Sequence, residues 1–327
     1  MDASASAALI RTIEDLERDG SSIRSIRQSI ACGDIVRVHP GRFIDGGVWA
    51  RLFPEDRHLL RVVAADSARR GGEAVWSHVS AAALLGLPLF RHRGARPHLS
   101  GAGTNGRVEG RDPVRRHGVA VADADRIEVA GIACTSLERT VFDVIRTVGR
   151  ETAVACADAA LRGIAWREAE RRFDQAATDA WRESLLDRIA HSPGVRGIRQ
   201  ARWVARFADG RSQLPGESVS RLYLNDLGFA PPQLQVPFQG PRGKVYAIDF
   251  GLDDVNAWGE FDGLGKYFDV ALGGDPDGRK ALLREKERED WIRGRSGRAF
   301  VRWGMRHVEN ATTFSRHLAS FGLAPRH

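Results

Sequence analysis

Two acidic residues, Asp249 and Glu260, stand eleven positions apart in a segment that reads as two strands, KVYAIDFGL and AWGEFDG. A turn centred on Asp254-Val255 sets them directly opposite one another, and opposed residues of an antiparallel pair share a face. Asp262, two residues beyond Glu260, falls on that face too if the strand continues. The expected result is three carboxylates in one patch, with Ile248, Phe250 and Phe261 on the apolar side. Unpaired acids held that closely repel one another unless a cation sits among them. An all-oxygen set suits Mg²⁺ or Mn²⁺ and not zinc. Such an ion polarises a phosphodiester oxygen and activates water.

Two further residues belong to this reading. Lys266, in GLGKY, brings an ammonium near the patch that can orient water or steady phosphate charge. It is one of only four lysines, with Lys244, Lys280 and Lys286, in a chain that has 49 basic residues. Glu217 lies in the first turn of the preceding helix and offers a fourth carboxylate, although the helix dipole alone favours an acid there. Asp253, Asp254, Asp275 and Asp277 read as turn formers. The histidines of the middle region, His58, His78, His92, His98 and His117, show no ligand spacing and read as core or surface residues. None occurs between His191 and His307, which excludes a histidine-assisted site in the last third.

The elements around these residues follow from periodicity. A Gly/Pro/Ser linker, DGRSQLPGE, precedes a helix at 215–227. Strands QLQVPFQ, KVYAIDFGL and AWGEFDG come next, then the charged helix RKALLREKEREDWIRGR, strand AFVRW and a last helix at about 309–321. At the other end of the chain, one helix over 4–19 is followed by IRSIRQSIACG, with an Ile23, Ile26, Ile30 stripe, and by the hairpin DIVRVHPGRFID turning at Pro40-Gly41. Two helices and a hairpin make a small winged helix-turn-helix. Its Arg24, Arg27, Arg37 and Arg42 face one acid, Asp34, and are the expected DNA contacts. Between these regions, helices are predicted at 55–70, from Ser77 to Gly86, from Thr135 or Ser136, and at about 151–162, 166–174, 178–190 and 195–208, with strands among them.

The whole is an α+β chain of three regions: a winged helix-turn-helix over 1–45, a mixed α/β region over 46–211, and a mixed sheet flanked by helices over 212–327. At 43% hydrophobic and 28% charged residues it has a soluble globular composition. The formal charge of +7 concentrates in residues 46–212, with 27 basic against 20 acidic side chains, while 213–327 are nearly balanced at 16 against 15. Nucleic acid is therefore a natural partner, and a membrane is not. Three scattered cysteines without a CxxC pair, and an acidic rather than signal-like N-terminus, predict a cytoplasmic protein.

The order of pieces over about 212–305 resembles the very-short-patch-repair-like branch of the PD-(D/E)XK nucleases. The pieces are the helix with Glu217, LGFAPPQLQV, Asp249 in IDF, Glu260 in EFDG, Lys266-Tyr267, REKERED and AFVRW. The resemblance implies Mg²⁺-dependent phosphodiester cleavage, with Asp249 and Glu260 as metal ligands and Glu217 as an accessory acid. The sequence departs from the pattern at Asp262, where the motif has its lysine, so Lys266 or Lys286 has to supply the amine. Over about 1–165, GDIVRVHPGRFID, SAAALLGLP and CTSLERTVFDV resemble AbiEi-type antitoxins and regulators found widely in actinobacteria. That likeness implies DNA binding and autoregulation, with a cognate toxin or regulatory protein as a further partner. The alternative is a regulator that has kept the nuclease fold and lost turnover.

Overall fold

Thr12 interrupts the helix expected over 4–19. Its hydroxyl accepts the Asp15 N–H at 3.1 Å, and the Asp15 carboxylate accepts the Thr12 N–H at 2.8 Å. This reciprocal capping box starts a new helix. In the computed structural model the segment becomes α1 (Ala3–Leu9), a short β1 (Arg11–Thr12) and α2 (Ile13–Arg18). The structure describes residues 1–327 apart from 70, 94–95, 103–112, 169, 171, 264–275 and 326–327, and describes 276–282 by their backbone alone. Lys266 and Asp275 lie outside the described residues.

Ser22 caps α3 (Ile23–Cys32), and Gly33, at φ +84°, ends it in the left-handed region. Strands β2 (Ile35–His39) and β3 (Arg42–Asp45) follow, and the sheet order is β1-β3-β2. Leu16, Ile26 and Phe43 form a small buried cluster with Ile35 packed against it. The expected isoleucine stripe is only partly buried. Ile26 is inside, but Ile23 at the first helical position is 59% exposed and Ile30 is 36% exposed.

The chain continues through α4 (Gly46–Arg51), α5 (Pro54–Ser67), β4 (Val75–Trp76), α6 (His78–Leu84), β5 (His98–Ser100), β6 (Arg115–His117), β7 (Arg126–Val129), β8 (Ile132–Thr135) and α7 (Leu137–Thr147). A five-stranded mixed sheet of order β6-β5-β4-β8-β7 holds this region. Trp76, Val62, Leu99 and Cys134 are at most 2% exposed in the core beside it. Next come α8 (Arg150–Ala165), β9 (Trp166–Arg167), β10 (Arg172–Phe173), α9 (Gln175–Ala190) and α10 (Ile198–Phe207). The helix expected at 166–174 is instead an antiparallel pair in which Phe173 opposes Trp166.

Two compact units result, one of residues 1–160 and 179–207, the other of 161–178 and 208–327. The second is built from α11 (Pro215–Asp226), β11 (Gln233–Gln239), β12 (Val245–Leu252), β13 (Ala257–Asp262), α12 (Pro276–Ser296), β14 (Ala299–Gly304) and α13 (Ala311–Ala319). Its sheet runs β11-β12-β13-β14, antiparallel except for the last, parallel pair. On one side Trp303 packs against Phe250 and Phe314 and donates its indole N–H to Ser220 of α11. On the other, Ile292 of α12 is buried with Ile248, Trp258 and Phe300. Ile248 and Phe250, expected on one apolar face, thus join different clusters. Among the described residues, no helix is long and apolar enough to cross a membrane.

Candidate functional site

The β12–β13 pairing follows the register set by a turn at Asp254-Val255: Leu252 opposes Ala257 and Phe250 opposes Gly259. At Asp249 the ladder gives way to a side-chain contact. The Asp249 carboxylate accepts the backbone N–H of Phe261 at 2.9 Å, filling a place that the neighbouring strand would otherwise take. Its other oxygen accepts from Gln235 Nε2 at 3.1 Å. The same amide lies 3.4 Å from Glu217 Oε2, which also accepts the Gln213 N–H at 2.8 Å. Gln235 therefore joins the strand acid to the helix acid.

Glu217 reaches this point because α11 lies very close to the sheet. A Cβ on Gly216 would meet the Phe261 ring at 1.9 Å, so only glycine admits the approach. Glu217 and Glu260 are both 4% exposed. Burial, followed by the charge of Asp249, pushes the Glu217 carboxyl up to about 8. Burial also pushes Glu260 up to about 7, with Asp249 adding to the rise and Arg288 and Arg302 opposing it. Glu217 and Glu260 thus each feel the charge of Asp249, and Asp249 and Glu260 line a cleft of about 350 Å³ together with Gln213, Gln235 and Arg288.

Not every expected member joins them. Asp262 is bound to Arg302 at 2.6 Å and is not among the cleft-lining residues, so it stands outside the donor set. Arg302 also meets Glu285 at 3.2 Å and Glu289 at 3.0 Å and lies 4.0 Å from Glu260. Lys286 is exposed. The cation at the cleft is Arg288 of α12, which hydrogen-bonds Glu260 and also meets Glu285. Asp249 and Glu260 line the cleft as oxygen donors of the kind a hard divalent cation takes, although Glu260, which burial drives toward its neutral form, would first have to give up its proton.

Gln235 and Arg288 are absent from the sequence reading. Gln235 has a detectable signature only in three dimensions, a φ of +51° within a strand, a strained conformation for a non-glycine residue of the kind found at functional sites. In the first unit, Arg24, Arg27 and Arg37 are exposed. Arg42 is instead anchored to the end of α5, donating to Ser67 Oγ and to the Ser67 carbonyl, both at 2.9 Å. The middle histidines also assemble: His78, His98 and His117 place ring nitrogens within 4.8 Å of one another, although they lie on three separate elements.

No family model matches the chain. It is 30% identical over 218 residues to the uncharacterized protein Rv2248 of Mycobacterium tuberculosis strain ATCC 25618 / H37Rv, an alignment that covers 67% of this chain and 72% of the relative. The uncharacterized protein MT2308 of strain CDC 1551 / Oshkosh aligns with the same identity and coverage. The chain belongs to the family of these mycobacterial proteins.

Proposed function

We propose that the chain is a DNA-binding protein whose second unit is a PD-(D/E)XK-like, metal-dependent endonuclease domain. The observation that carries this reading is the meeting of Asp249 and Glu260 at one cleft, with Glu217 tied to Asp249 through Gln235. The order of elements, a helix before an antiparallel ribbon and a parallel strand after a long helix, is compatible with that motif.

In this reading Asp249 and Glu260 hold Mg²⁺ or Mn²⁺, which supplies Lewis-acid chemistry at a phosphodiester. Gln235 keeps Asp249 and Glu217 in mutual register. Glu217, largely protonated at neutral pH, retains a proton beside the reacting groups. Arg288 lines the cleft where the motif's amine is missing, and its planar fork suits a phosphate oxygen pair. It cannot act as a base, so its part is to bind charge.

The first 45 residues support DNA contact. The order α1-β1-α2-α3-β2-β3 with a three-stranded sheet is compatible with a winged helix, and Arg24 and Arg27 are exposed on α3, the helix that would enter the major groove. Arg37 on β2 adds a phosphate contact. The likeness to AbiEi-type regulators puts such a protein in a defence or toxin–antitoxin setting in the cytoplasm.

One observation favours a second reading, a regulator that binds DNA without cutting it. Arg288 already neutralises Glu260, and Asp262 replaces the motif's lysine. Incubating the purified protein with plasmid, linear and single-stranded DNA in Mg²⁺, Mn²⁺ or EDTA separates the two. The endonuclease reading expects cleavage that EDTA and Asp249→Ala both abolish while gel-shift binding persists. Equal cleavage by both proteins, or binding with no cleavage under any condition, removes it.

A further inference from the structure

The histidines of the first unit have no part in phosphodiester chemistry, yet their arrangement is specific. His78 opens α6, His98 opens β5 and His117 closes β6. The rings of His78 and His117 stack with centroids 4.0 Å apart and planes 13° from parallel. His117 Nε2 lies 3.3 Å from His98 Nδ1. That spacing equals the edge of a tetrahedron of nitrogens set about 2.0–2.1 Å from a zinc ion, roughly 3.3–3.4 Å. His78 is held in place at a backbone cost, since its φ of +53° is one that a non-glycine residue rarely adopts.

The surroundings suit a ligand set. Burial, then the neighbouring His117 and the guanidiniums of Arg146, Arg139 and Arg115, holds the His78 ring well below the usual imidazole range. Burial first and the other two rings next push His98 down to about 2. Ser77 Oγ lies 3.0 Å from His78 Nδ1 and accepts from Ser100 Oγ at 2.7 Å, an outer layer that fixes the ring and leaves Nε2 facing inward. Asp143, fully buried on α7, has Oδ1 3.9 Å from that Nε2. Arg146 lies 3.4 Å from the same nitrogen and already holds Asp143 at 2.8 Å, so it has a partner to retain when it gives way.

We propose that His78, His98 and His117 form a site for one transition-metal ion of the zinc class, with the fourth position open to water or a small ligand. Imidazole nitrogens select zinc, cobalt, nickel or copper over magnesium, so this site and the carboxylate cleft take different cations. The site stands apart from the nuclease reading and does not depend on it.

The test uses untagged, chelator-stripped full-length protein at neutral pH, titrated with Zn²⁺ by calorimetry and with Co²⁺ in the visible. The expected result is one ion per chain and the intense bands of four-coordinate Co²⁺, bleached by Zn²⁺ and not by excess Mg²⁺. His98→Gln and His117→Gln should each weaken binding by at least about tenfold. His317→Gln, in the stacked His307–His317 pair of the second unit, should leave it unchanged. Weak six-coordinate Co²⁺ bands in the wild-type chain, or an unchanged affinity in His98→Gln, overturn the site. The cobalt spectrum is read on the wild-type chain, so the outcome stands even where a variant fails to fold.

Discussion

The carboxyl cleft of the second unit and the histidine cluster of the first apply one electrostatic rule with opposite signs. Burial raises the affinity of Glu217 and Glu260 for protons and lowers that of His78, His98 and His117. Both groups are thereby driven toward their neutral forms, as desolvation requires. The consequences differ. A neutral imidazole is ready to bind a metal, whereas a protonated carboxyl must first release its proton. The acids have arginine partners close by, and the imidazoles gain nothing from theirs. Placing ionisable groups together is therefore not one device: its meaning depends on which protonation state the ligand needs.

The largest effect that would sharpen this comparison is loss of cleavage in Asp249→Ala, expected on the order of 10³-fold in a nicking assay with Mg²⁺. The complementary measurement is cleavage by His98→Gln, which should match wild type. A shared loss would mean that the two clusters are not independent. A smaller effect is expected for the stability of the metal-free chain. The folded carboxyl of Glu217 sits at about 8, above its ordinary unfolded value, so folding favours its protonated form. Stability from this group is present at low pH and is lost as pH rises toward 8, because the folded state binds the extra proton over that window. Glu217→Gln should therefore raise the melting temperature by a few degrees at pH above 8, equivalent to on the order of 1–2 kcal/mol, and by nothing measurable near pH 4. An increment that stays constant with pH would place the effect elsewhere.

The mildest test concerns DNA affinity in the first unit. Arg24→Ala and Arg27→Ala should each reduce the slope of log K against log salt by about 0.9 if each neutralises one phosphate. Arg42→Ala should leave that slope alone, since its guanidinium is already bonded to Ser67. A slope change in the Arg42 variant equal to the others would return it to the interface.

The parts of the molecule that were legible in the sequence share a cause. The register of β12 on β13 follows from one turn at Asp254-Val255, so the pairs from Leu252–Ala257 to Phe250–Gly259 follow by counting, and the ladder ends one pair short of Asp249 and Glu260. The order of elements in the second unit followed equally from local periodicity. Contacts made across the sheet were not legible. Gln235 carries no charge and no motif, and its position depends on a local left-handed backbone. Arg288 and Arg302 reach the acids from a helix and a strand far along the chain, which no spacing rule anticipates. The split of the first helix was visible in principle, because Thr12 and Asp15 spell a capping pair, but the apolar stripe masked it. The histidine trio arises from three segments brought together only by tertiary structure.

The two flanks of Asp249 are guarded differently. One oxygen is tied to the main chain at Phe261, and the other is covered by the side-chain amide of Gln235. On that side a newcomer would meet a neutral amide. Across the cleft, Glu260 is shielded by a guanidinium, so an arriving cation must first outcompete a formal charge. Were the cleft to take the proposed cation, Asp249 would offer an oxygen covered by a neutral amide, whereas Glu260 would offer one only in exchange for Arg288.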